Sequence, residues 1–154
     1  MSNMILSPTR GGKGSYPNQD RAIAIAKERG VEILFLYISN VEFLSLTAAP
    51  KLIDIENELD ELGEFMLTMA QERAEKAGVK AETLVQHGHF LESLCQVIEE
   101  YKIHTVILGS SAGGTGVVTA SYIQDVIDEI SDKTGVEFIV VDHGEIVDNF
   151  KPAG

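Results

Sequence analysis

Between Thr105 and Val118 a short apolar run breaks at Gly109 into a loop with three further glycines, and an apolar-periodic helix follows. Strand, glycine-rich loop and helix N-terminus, in that order, can turn backbone N–H groups toward an anion. Leu108, Gly109, Ser110, Gly113 and Gly114 are therefore the first candidates for chemistry, and that chemistry is anion binding. A second loop, Arg10-Gly11-Gly12-Lys13-Gly14-Ser15, holds glycines and cations but not the phosphate-loop pattern, because Gly14 follows Lys13 where Ser or Thr is required. Its Arg10 and Lys13 can still reach an anionic ligand.

Metal and covalent chemistry find less support. His87 and His89 flank Gly88, with His104 or His143 as a third imidazole. Gly88 frees the backbone between them, so the spacing does not fix both rings on one side, and no metal site is assigned. Cys95, the single cysteine, sits in an apolar helical pattern with no cation to activate it. Ser110, Ser111 and Thr115 lack a histidine that the pattern places beside them. Glu56, Glu58, Asp60, Glu61 and Glu64 fall on one helix as a solvated face. No catalytic residue is assigned, and the chain reads as a non-enzyme.

The elements that position these residues follow from periodicity. Residues 4–9 read as a strand stopped by Pro8, and Pro17 opens a helix ending near Arg29 at Gly30. Residues 31–38 are apolar on both faces, as buried parallel strands are. Residues 39–51 are irregular, and packing beneath the next helix is expected of them. Leu52, Ile55, Leu59, Leu62, Met66, Met69, Arg73 and Ala77 then recur at three- and four-residue spacing. They predict a long helix with this stripe, methionines included, as its core face, ended by Gly78. A strand at 81–86, a helix carrying Leu91, Leu94, Cys95, Ile98 and Tyr101, and a strand at 105–108 come next. Ile123, Val126, Ile127 and Ile130 line the last helix, and residues 136–141 form a fifth strand. Strands alternating with helices imply one doubly wound α/β layer, a five-stranded parallel sheet with helices on both faces. It spans 1–142, and 143–154 reads as a loose acidic tail.

Composition narrows the partners. The 154 residues suit one domain, and 44% hydrophobic with 23% charged residues is ordinary for a globular chain. A net charge of −12 argues against a nucleic-acid surface. No apolar run approaches the ~20 residues of a membrane span, and no signal peptide or cysteine framework is present, which points to the cytoplasm.

Ile5-Leu6-Ser7-Pro8-Thr9, Val106-Ile107-Leu108-Gly109-Ser110-Ser111 and Phe138-Ile139-Val140-Val141, in this order, make the chain resemble the universal stress protein family over about Met4 to Asp142. The resemblance implies a Rossmann-like sheet of order 3-2-1-4-5 and a homodimer joined along the last strand, here Phe138, Ile139, Val140 and Val141. It also implies ATP or AMP as ligand at the strand ends. The family pattern places an acidic residue after Pro-Thr and a G-x2-G-x9-G-[S/T] run after the fourth strand. Here Arg10 replaces the acidic residue after Pro8 and Thr9. Two residues are inserted before Gly114, and the run ends on Gln124 and Asp125 in place of Gly-Ser. Ile38 supplies the matching backbone on the second strand, and His89 lines the crevice.

Asp125 is expected at a helix N-terminus, where it would repel a phosphate, and an ion pair with Arg10 across the crevice is expected to fill the phosphate position. The reading is a regulatory or binding module with altered or lost ATP affinity. The alternatives are a switch that still binds ATP, ADP or AMP, and a weak nucleotide hydrolase.

Overall fold

The structure, a computed structural model, describes residues 4–9, 16–39, 49–88, 90–109 and 120–150. Met4–Pro8 forms β1 and Tyr16–Arg29 forms α1. Glu32–Ser39 is β2, Ala49–Lys76 is α2 and Ala81–His87 is β3. Phe90–Tyr101 is α3, Thr105–Gly109 is β4 and Ala120–Thr134 is α4. Glu137–Asp142 and Glu145–Phe150 are β5 and β6. Lys27 and Arg29 in the last turn of α1 face the negative end of its dipole, and Gly30 follows at φ 68° as the left-handed cap.

The strand order is β3-β2-β1-β4-β5-β6, with β1 to β5 all parallel. Alternate side chains leave a strand on opposite faces, and the core divides accordingly. Leu6, Leu34, Leu36, Val106 and Phe138 pack with Leu94, Val97 and Ile98 of α3 and Ile127 and Ile130 of α4. Ile5, Ile33, Phe35, Ile107 and Ile139 pack with Ala22, Ile23 and Ala26 of α1 and Leu67, Ala70 and Ala74 of α2. The doubly wound order expected of the first five strands is the observed one.

Three expectations change. Residues 145–150 are not a loose tail: they form β6, which pairs antiparallel with β5. His143 and Gly144 form the two-residue turn, both at positive φ (51° and 83°), as a type I′ hairpin requires. The tail reading missed this because Ile146 and Val147 are adjacent and acidic residues flank them, so no period of two shows. In consequence Phe138–Val141 is not a free edge, since β5 lies between β4 and β6.

The third change concerns α2. Of the stripe read as its core face, Leu62 and Met69 are exposed, and the buried side is Gly63, Leu67, Ala70 and Ala74. Small residues let α2 approach the sheet and the alanines of α1 closely. They carry little hydropathy, so the stronger sequence signal lay on the outward side. Residues 40–48 fall outside the described residues.

At the end of the sheet remote from the strand C-termini, Arg29 grips Glu137. Nη1 donates to Oε1 at 3.0 Å and Nη2 to Oε2 at 3.4 Å. Thr105 Oγ1 donates to the same carboxylate at 3.0 Å and Asn149 Nδ2 at 3.1 Å, tying α1, β4, β5 and β6 together. Burial alone would raise the Glu137 pKa. The hydrogen bonds from Arg29, Asn149 and Thr105, with the Arg29 charge, outweigh it and hold the pKa below its ordinary 4.5. The folded chain therefore binds this proton less readily than the unfolded chain. The stabilisation is complete above about pH 4.5 and is lost as the pH falls through the lower folded value. Because Arg29 is more than one third exposed, the clamp is worth only ~1–2 kcal/mol. Glu137→Gln is expected to lose about that much at pH 7, measured by urea denaturation, and to flatten the decline in stability below pH 4.5. An unchanged acid limb would assign that decline to other carboxylates.

Candidate functional site

In an open α/β sheet the crevice forms at the strand C-termini where the connections reverse direction, here between β1 and β4. The local cause lies in Pro8. Thr9 N donates to Leu36 O of β2 at 2.8 Å. Successive residues of a strand alternate sides, so the Pro8 nitrogen faces β4, where it has no hydrogen to give. The recorded β1–β4 register is accordingly Ile5↔Thr105 and Leu6↔Val106.

The described wall of this crevice is polar and tightly bonded. Gln19, on the first turn of α1 and 3% exposed, donates from Nε2 to Thr9 Oγ1 at 2.7 Å. Its Oε1 accepts from Arg73 Nη1 of α2 at 2.6 Å. Arg73 also donates to Tyr16 O at 3.2 Å, pairs with Asp20, and lies 4.2 Å from the centre of the Tyr16 ring. One guanidinium thus fixes the start of α1, and through Gln19 the end of β1. Asn18 does the same for the other side. Its Oδ1 accepts from Gly144 N at 2.9 Å, while Arg21 Nε donates to Gly144 O at 2.7 Å, which seats the β5–β6 turn on α1. Gly144 permits this, because a Cβ there would lie 3.1 Å from Pro17 O.

Among the residues singled out from sequence, Pro8, Thr9, Leu108 and Gly109 come together at this mouth on the adjacent strands β1 and β4. Ile38 is the next-to-last residue of β2, the neighbour of β1, and is partly buried against the core cluster that holds Leu6 and Leu36. Gly109 is exposed, and a Cβ on it would stand 3.0 Å from Asn18 Nδ2. Arg10, His89, Ser110, Gly113 and Gly114 fall outside the described residues, as does the Arg10 half of the ion pair expected with Asp125.

Asp125 itself is placed differently from expectation. α4 begins at Ala120, so Gln124 and Asp125 are its fifth and sixth residues, with Asp125 exposed. At 1.5 Å per residue that is roughly 7 Å along the axis, beyond the first turn where the dipole acts. The first turn of α4 carries no acidic residue. The argument that a carboxylate repels anions from this helix terminus therefore fails.

The three described histidines do not converge. His87 ends β3, four strand positions from β5 and its turn at His143, a separation of roughly 19 Å at about 4.8 Å per strand. His104 lies at the opposite end of the sheet, just before β4. Burial raises the Cys95 thiol pKa; Lys133 opposes this and Glu129 and Glu99 add to it. The thiol is therefore a poor nucleophile at neutral pH. Sequence reasoning missed Asn18, Gln19 and Arg73. The available signal was a charged residue, Arg73, occupying one position of an otherwise apolar stripe.

The model of the universal stress protein family matches residues 1–141. The chain belongs to the universal stress protein family. A universal stress protein of Methanocaldococcus jannaschii is 31% identical over 114 residues, which span 73% of this chain and 66% of that one. Universal stress protein YxiE of Bacillus subtilis is 25% identical over 118 residues, 71% of this chain and 80% of that one. A solved family member from Burkholderia pseudomallei superimposes with a TM-score of 0.68 at 15% identity, covering 90% of this chain and 95% of its own. An Arabidopsis thaliana family protein with AMP bound does so with a TM-score of 0.58 at 16% identity, covering 91% of each chain. A universal stress protein in complex with cAMP gives 0.61 at 17% identity, covering 92% of this chain and 98% of its own. Within this universal stress fold, no described helix is long and apolar enough to cross a membrane.

Proposed function

We propose that this chain is a cytoplasmic regulatory module of the universal stress type whose crevice takes a nucleotide chiefly through its phosphates, with altered affinity for ATP. The observation that carries this reading is where α4 begins. A first turn without carboxylates leaves its N–H groups in a field that favours an anion. Gly109, exposed and without a Cβ, lets a phosphate approach the end of β4. Ser110, Gly113 and Gly114 continue that loop in sequence. Pro8, Thr9, Ile38 and His89 complete the proposed rim, and Gln124 and Asp125 lie beyond the first turn. Arg10 exchanges an acceptor for a cation, which favours phosphate oxygens and offers nothing to ribose hydroxyls. The solved relatives named for cAMP and AMP support the ligand class.

Calorimetric titration tests this reading. Mg-ATP is expected to bind with a dissociation constant of roughly 0.1–1 mM, and AMP about tenfold more weakly. AMP binding as tightly as ATP, or no heat from millimolar ATP, would overturn it. No motif places a metal-binding carboxylate, so phosphate release is expected to stay at the uncatalysed level.

The homodimer that the resemblance implies has to use β6, since β5 is paired on both sides. Exposed Ile146 and Val147 on that strand support such an edge. Sedimentation is expected to give twice the chain mass of 16.8 kDa. A mass of one chain at high concentration defeats the proposal.

A further inference from the structure

The longest helix, α2, presents two apolar sides, and among the described residues only one of them is packed against the rest of the fold. Gly63, Leu67, Ala70 and Ala74 of α2 are buried against the sheet and α1. Leu62, Phe65 and Met69 stand at i, i+3 and i+7 on a different side, 46%, 64% and 36% exposed. Such spacing puts all three on one stripe of the helix surface. A single exposed phenylalanine would call for no account, but three large apolar side chains in register form a contiguous strip.

One flank of the strip is acidic. Glu61 lies one turn before Phe65, and Glu72 lies three residues after Met69; both are exposed. Arg73, the cation that would neutralise this border, is engaged by Gln19, Tyr16 and Asp20. Lys76, at the end of the helix, is the remaining basic residue of the last turn. The whole chain carries −12. A second copy laid on the strip would bring acidic borders face to face, and anionic lipid or nucleic acid would be repelled in the same way.

We propose that this face of α2 docks an amphipathic helix of a protein partner, with apolar anchors at i, i+3 or i+4, and i+7 flanked by Lys or Arg. Phe65 supplies the central anchor and Met69 an adaptable one. Glu61 and Glu72 set the orientation of the basic flanks. This surface lies on α2 rather than on the rim assigned to the nucleotide, so nucleotide binding and docking are separately measurable.

The probe is a fluorescein-labelled 16-residue helical peptide with leucines at that spacing and Lys and Arg on both flanks, titrated into the full chain by fluorescence anisotropy. A control peptide keeps every charge and replaces the leucines with serine. Phe65→Ser is expected to weaken the leucine peptide about tenfold or more, with melting temperature unchanged because the side chain is exposed. The control peptide is expected to bind the unaltered protein about tenfold or more weakly as well. On the unaltered protein, hydrogen exchange of amides 61–72 is expected to slow when the leucine peptide is added, a readout that needs no variant. Equal binding of both peptides would reduce the effect to net charge and overturn the proposal. So would equal binding by Phe65→Ser, or loss of self-association in that variant, which would make a second copy the occupant.

Discussion

Gly63→Ala is expected to destabilise the protein by about 1–2 kcal/mol, although alanine in a helix ordinarily gains about 1 kcal/mol over glycine. A Cβ at position 63 would stand 2.5 Å from Tyr37 Cδ1, 2.8 Å from Cε1 and 3.1 Å from Cγ. These are atoms of a ring held on β2, not the loose end of a chain, so α2 or the ring has to move. Overpacking of this kind costs about 1–3 kcal/mol, enough to exceed the propensity gain. Urea denaturation of Gly63→Ala should show a lower midpoint with an unchanged slope. In the background of Tyr37→Leu the same substitution should cost at least 1 kcal/mol less, as a coupled pair requires. A stabilised Gly63→Ala would mean that α2 rides loosely on the sheet, and that the close approach is not a constraint.

Arg73→Met is expected to cost about 2–3 kcal/mol and to weaken nucleotide binding together with stability. Methionine keeps the aliphatic stem and removes the donors. Gln19, 3% exposed, then loses the partner of its Oε1. Leaving one buried acceptor unmet costs about 1–3 kcal/mol. Tyr16 O loses a donor and the Tyr16 ring loses its cation, the latter worth about 0.5–1 kcal/mol at such a site. The Asp20 partner is 64% exposed, and its pairing adds little. Gln19 is also what bonds Thr9 at the mouth of the crevice, which is why ligand affinity should fall with it. Calorimetry on the folded variant separates the two effects. Unchanged ATP affinity would confine Arg73 to a structural role.

Both residues show where reading along the chain succeeds and where it stops. The alternation of strands and helices, and their order in the first five strands, were legible because each element repeats its own period over many residues. Gly109 was legible as the end of a buried strand, because the apolar run and the glycine that breaks it are adjacent in the chain. Four things were not legible. The buried side of α2 is built from Gly63, Ala70 and Ala74, whose small size is invisible to hydropathy and decisive for distance. The strand β6 has adjacent apolar residues and no period of two, and exists because β5 offers it a ladder. The start of α4 was displaced by counting a family spacing through an inserted loop, and with it the meaning of Asp125. The Thr9–Gln19–Arg73 connection joins three elements that no local window contains.

What the sequence determined by itself, then, is the parallel α/β layer and the ends of its two central strands at Pro8 and Gly109. Those follow from short-range rules: apolar period, the missing N–H of Pro8, and the freedom of glycine. The tertiary structure decided which side of α2 is core, that β5 is not an edge, and that the first turn of α4 is free of carboxylates. Each of these depends on distances between segments far apart in the chain. Packing fixes such distances, and the order of residues along one segment does not.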